Sequence, residues 1–147
     1  MRTLNYSLFA LILMITAACG PNTQALMDAE NALHDEVMDI HDEVMPKMSD
    51  INRLYRELND YAEANADNIT PEMAGRIENT LRELEQADDG MMGWMNSYRQ
   101  LDALRETMDH EGIMNYLNEE KENIQKVSDQ MRSSISNGQT LKEELDI

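Results

Sequence analysis

Cysteine occurs once, at Cys19, so the chain can form no internal disulfide. Phenylalanine occurs once, at Phe9, and tryptophan once, at Trp94. Any core must therefore be built from aliphatic side chains, methionine and tyrosine. Three prolines and six glycines are too few for an all-β or low-complexity chain. Cations are scarce: 12 Lys and Arg face 29 Asp and Glu, for a net charge of −17. That balance excludes nucleic acid as a partner and argues against electrostatic adhesion to anionic lipid. No G-x-S-x-G, P-loop, G-x-G-x-x-G or HExxH motif is present. The sequence therefore offers no catalytic residue and no cofactor motif, and we expect no enzyme. The 147 residues, 41% of them hydrophobic, fit one domain with a real core.

The N-terminus carries the one long apolar run, "LFALILMITAA" from Leu8 to Ala18. It falls short of the ~20 residues a membrane-spanning helix needs, and fits a signal-peptide core behind Arg2. Small residues lead directly to Cys19, as in the lipobox of bacterial lipoproteins, although Thr16 stands where that motif prefers leucine. The expectation is a lipoprotein signal peptide over 1–18 and a lipidated Cys19 with a short tether over 19–23. A helical domain over 24–147 follows. Losing Arg2 takes the net charge from −17 to −18. Gly20, in place of an aspartate, points to the outer membrane facing the periplasm. The lipid would be the membrane contact, and a protein the remaining partner class.

Helical periodicity dominates the rest. Leu33, Val37, Ile40, Val44, Met48, Ile51, Leu54, Leu58 and Tyr61 recur every three or four residues, predicting one helix from about Gln24 to Ala64. Asp35, Glu36, Asp39, Asp42 and Glu43 fall on the other, solvated face. "NADNI" reads as a polar turn, and Thr70-Pro71 as an N-cap with proline at the first helical position. A second helix follows on Met73, Ile77, Leu81, Leu84, Ala87, Met91, Met95 and Tyr98, ending near Gln100. A third starts at the N-cap Asp109 and runs on Ile113, Leu117, Ile124, Val127, Met131 and Ile135 to a stop at Asn137-Gly138. The fold class is all-α, expected as an up-down-up antiparallel three-helix bundle with coiled-coil-like packing.

One motif invites chemistry. "HDEVMDIHDEVMPKM" repeats His-Asp-Glu-Val-Met at a spacing of seven. At about 100° per residue, Met38, His41, Met45 and Met48 all fall within about 40° of His34. They form one stripe, adjacent to the Leu33, Val37, Ile40 and Val44 stripe. A helix with two apolar stripes touches two neighbours. Turns centred near residues 68 and 105 would bring Met91, Met92 and Met95 opposite residues 45 to 41. Tyr98 would then stand beside residue 112, and His110 level with Met38. Pro46 should interrupt the first helix, with Gly90 and Gly93 close against it.

Two readings follow. In the first, the stripe is core, and the Met-rich end, with Trp94, Met91 and Met114, meets a protein partner. In the second, His34, Met38, His41, Met45, Met92 and Met95 bind a soft metal, Cu(I) or Ag(I), for which thioether and imidazole are suitable donors. Zinc and calcium fit less well, without free thiols or an Asp/Gly loop.

The segments "HDEVMxIHDEVMPKM", "MMxWM" and "HExIMxYL" resemble a group of small helical lipoproteins of Gram-negative bacteria, often called viral A-type inclusion proteins. The resemblance covers most of the chain after Cys19. It implies a lipoprotein and a helical bundle, and brings no established activity, cofactor or catalytic residue. It also implies a capping box before the third helix, where this chain has Gly112 in place of an acid.

Overall fold

The computed structural model describes residues 23–147; the apolar N-terminal run and Cys19 lie outside the described residues. Those described are all-helical. Five α-helices and one 3-10 turn follow in order: α1 (Thr23–Val44), the turn Met45–Lys47, α2 (Met48–Ala64), α3 (Pro71–Ser97), α4 (Leu101–Arg105) and α5 (His110–Leu145). None is long and apolar enough to cross a membrane.

Local chemistry accounts for most of the boundaries. Pro46 has no N–H to give its fourth-preceding carbonyl, and the chain tightens into the 3-10 turn that separates α1 from α2. Ser49 Oγ donates to the Pro46 carbonyl at 2.9 Å, satisfying an acceptor at the break. At the start of α3, Thr70 Oγ1 accepts from the Met73 amide at 3.2 Å, and Pro71 occupies the first helical position. At the start of α5, Asp109 Oδ1 accepts from the Gly112 amide at 2.9 Å, so the cap forms without an acid at residue 112.

Packing directions follow from pairs along the helices. His41 meets Trp94 and His34 meets Tyr98, while Asn52 donates to Asp88, so α1 and α2 run antiparallel to α3. Asn137 donates to Glu83, and Arg76 pairs with Glu144, so α3 and α5 are also antiparallel. Lys121 pairs with Glu36, Arg132 with Glu43 and Lys142 with Glu57, which sets α1 and α2 parallel to α5. A main core gathers Val37, Val44, Leu54, Leu58, Leu84, Met91, Ile124 and Met131 from α1, α2, α3 and α5. A smaller second core joins Leu33 of α1, Leu101 and Leu104 of α4, and Ile113 and Leu117 of α5.

Four expectations need correction. Among the described residues there are five α-helices where three were expected: Pro46 interrupts the first, as its sequence position predicts, and divides it fully into α1 and α2, and α4 is a separate helix. The second helix stops at Ser97, with extended backbone at Tyr98 and Gln100, and Leu101 and Leu104 turn inward on α4. That inserted helix shifts the register. The pairs Tyr98–Tyr116 and Glu83–Asn137 centre the α3–α5 reversal between residues 107 and 110, beyond the expected 105. His110 consequently sits by Glu30, about two turns from Met38.

The third correction concerns Asn137-Gly138, which does not stop α5. Gly138 is buried, and a Cβ there would lie 3.3 Å from Leu54 Cδ1 and 3.6 Å from Leu84 Cδ1. The glycine admits close approach to α2 and α3, and burial of Leu141 beyond it outweighs its helix cost of about 1 kcal/mol. Finally, Gly90 and Gly93 provide no close approach to Pro46. Among the described residues, a Cβ on Gly93 meets nothing within 4 Å, and one on Gly90 meets only Gln130 at 3.6 Å.

Candidate functional site

The end of the molecule nearest residue 23 concentrates the unusual chemistry. The first component is a ladder of rings. Helical spacing sets His34 and His41 seven residues apart, on the face of α1 that looks toward the C-terminal turns of α3. The His41 and Trp94 centroids are 5.5 Å apart, Trp94 and Tyr98 are 4.8 Å apart, and Tyr98 and His34 are 6.0 Å apart. Tyr116 of α5 extends the series at 6.1 Å from Tyr98. Such spacings fall in the range where aromatic pairs attract beyond simple burial.

Hydrogen bonds pin four of these five rings. His34 Nδ1 and the Tyr98 hydroxyl are 2.7 Å apart. The Arg99 amide donates to the Tyr116 hydroxyl at 2.7 Å, which gives the extended backbone after α3 a partner. His41 Nδ1 donates to Asp42 Oδ1 at 2.8 Å. Burial pushes the Tyr98 phenol well above its ordinary value, reinforced by Tyr116 and Glu120. Burial also raises Tyr116, partly opposed by the Arg99 amide. Both phenols are therefore protonated at neutral pH. Trp94 is 7% exposed, and its Nε1–H has no hydrogen-bond partner among the described residues. Burying an N–H without an acceptor costs about 1–3 kcal/mol.

A clasp around Glu30 forms the second component. This carboxylate is the buried charged side chain among the described residues. Arg105 Nε donates to its Oε2 at 2.8 Å, and His110 Nδ1 lies 2.9 Å from its Oε1. Arg105 also donates to Asn31 Oδ1 at 2.9 Å and to the Met27 carbonyl at 3.4 Å. One carboxylate thus joins α1, α4 and the first turn of α5. Burial alone raises its pKa; the bonds from His110 and Arg105, with their charges, outweigh burial and hold it below the usual carboxylate range.

The residues singled out from sequence separate into groups. Met38, Met45 and Met95 are partly buried against the main core, beside the fully buried Met91 and the 7%-exposed Trp94. Met114 is partly buried against the second core. Trp94 and Met91 are thus interior residues, and the expectation that they present a partner-contact surface is corrected. Met92 is 44% exposed. At about 100° per residue it points about 160° away from Trp94, so it does not join the histidines of α1. Among the described residues, no group of three or more His, Cys, Asp or Glu side chains is placed to hold a metal ion. Cys19 lies outside the described residues.

Sequence reasoning missed Glu30, Arg105 and the Tyr98–Tyr116 pair. For Glu30 a signal existed. It lies three residues before Leu33 and seven before Val37, on the buried stripe of α1. A carboxylate on an apolar stripe requires cationic or hydrogen-bonding partners. For Arg105 no local signal exists, because its partner is 75 residues away.

No family model matches the chain, and no curated protein or solved structure matches it either.

Proposed function

We propose that the chain is a lipid-anchored periplasmic protein that binds or scaffolds a protein partner, held to the outer membrane through Cys19. Its architecture, on this reading, is an up-down-up antiparallel three-helix bundle. The α1 and α2 pair counts as one rod broken at Pro46, and α4 closes one end. The anchor rests on the apolar run from Leu8 to Ala18 and the small residues that lead to Cys19. The binding role rests on one observation: the unusual side chains are spent internally. The ring ladder and the Glu30 clasp join helices to one another, while the outer faces carry acids and the exposed thioethers of Met27, Met92 and Met108. Such a molecule presents firm surfaces. Flexible thioethers adapt to varied apolar partners, which makes these three positions the contact points of the proposal.

Site-specific photocrosslinking in cells tests it. A crosslinker at Met92 or Met108 should capture one defined protein, and a crosslinker at Glu122 on α5 should not. Equal and diffuse capture from all three positions would sink the binding role.

A further inference from the structure

We propose that His41, together with the thioethers of Met38 and Met45, forms a site for one soft monovalent cation, Cu(I) or Ag(I), beside the indole of Trp94. The proposal goes beyond a binding or scaffolding role and does not depend on it. It starts from the His41 tautomer. Asp42 Oδ1 lies 2.8 Å from His41 Nδ1, and an ionised carboxylate can only accept. Nδ1 therefore carries the proton, and in the neutral ring Nε2 keeps its lone pair. A carboxylate on one imidazole nitrogen is the arrangement that orients metal-ligating histidines through the other.

The neighbours of His41 are soft. Met38 precedes it by three residues on α1, a spacing that places side chains together on one helix face, and Met45 follows it by four, as the first residue of the 3-10 turn. Both are partly buried against the main core, and the His41 side chain is 15% exposed. Two thioethers and one imidazole make a neutral donor set suited to Cu(I) or Ag(I) and poorly suited to Mg²⁺ or Ca²⁺. The Trp94 ring centroid lies 5.5 Å from that of His41, which makes this indole a reporter on the imidazole.

The same geometry sets the stoichiometry at one. His34 stands two turns, about 10 Å, along α1 from His41. Its Nδ1 faces the Tyr98 hydroxyl, which can donate or accept, so no tautomer is imposed. Met92 is on the opposite side of α3. The repeat therefore supplies one soft site and one structural hydrogen bond.

The test is titration of the full chain with Ag(I), which has a single accessible oxidation state, in nitrate buffer. A Cys19→Ala background removes the competing thiol. Metal analysis after dialysis gives stoichiometry, and Trp94, the sole tryptophan, reports proximity by fluorescence. The expected result is one Ag(I) per chain with Trp94 emission quenched in step. His41→Gln should weaken binding at least tenfold. Met38→Leu and Met45→Leu, which conserve volume, should each weaken it several-fold, and Met92→Leu and His34→Gln should not. Should His41→Gln fail to fold, the ¹⁵N shift of His41 Nε2 in the folded chain replaces it; Ag(I) must move that signal. Binding unaffected by His41→Gln, an unmoved Nε2 signal, or no binding at one equivalent would each overturn the proposal.

Discussion

Replacing Glu30 with glutamine removes the charge on which α4 and the start of α5 converge. Its side chain is 6% exposed, whereas Arg105 is 24% exposed and His110 is 34% exposed. Breaking a fully buried pair costs about 3–5 kcal/mol, because a charge is left stranded. Here both partners reach solvent, and Arg105 keeps Asn31 and the Met27 carbonyl. Glutamine also retains an acceptor. The expected loss is therefore smaller, about 1–2 kcal/mol, close to the value of one or two charge-assisted hydrogen bonds. For a domain of this size it lowers Tm by roughly 4–8 °C.

The pH dependence fixes the mechanism. The folded pKa of Glu30 is depressed, so its contribution is fully present above the ordinary carboxylate value of about 4.5 and is lost as pH falls through the depressed value. Urea denaturation of wild type and Glu30→Gln at pH 7, 5 and 2 reads this directly. The stability difference should be similar at pH 7 and pH 5 and should nearly vanish at pH 2. Equal stabilities at pH 7, or a difference undiminished at pH 2, would refute the ionic clasp.

Other substitutions probe the packing. Gly138→Leu should lower stability by about 2 kcal/mol or more in chemical denaturation, because Leu54 and Leu84 already crowd a Cβ there. Gly93→Ala, with open space around its Cβ, should raise stability by about 0.5–1 kcal/mol through helix propensity, measured the same way. Met91→Ala should cost about 2–5 kcal/mol, whereas Met92→Ala should stay within about 0.5 kcal/mol. Under limiting hypochlorous acid, peptide mapping should find sulfoxide first at Met27, Met92 and Met108 and last at Met91 and Met131.

Local features of the fold were legible in the sequence. Thr70-Pro71 and Asp109 act within their own helical turn, so their caps could be read without knowing the tertiary structure. The α1–α3 register was also close, because a short polar turn joins α2 to α3. His41 indeed lies by Trp94, within a turn of its expected partners. What escaped depends on distant contacts. Gly138 reads as a helix stop until Leu54 and Leu84 are brought against it. Leu101 and Leu104 continue the period of the second helix, yet Leu33, Ile113 and Leu117 give them a better place on α4. That five-residue helix shifted the α5 register and took His110 away from the other histidines to Glu30. Of the candidate site, the His34–His41 face was legible from spacing alone. The burial of Trp94 and Met91 was not, because an aromatic and a thioether suit a core and a contact surface equally well.

The most direct test of the envelope role is fractionation of cells that produce the wild-type chain or Cys19→Ala. Wild type should incorporate labelled palmitate and travel with the outer membrane, while Cys19→Ala should carry no label and leave the membrane fraction. A Cys19→Ala chain that still pellets with membranes, or a wild-type chain without label, would contradict lipid anchoring at Cys19.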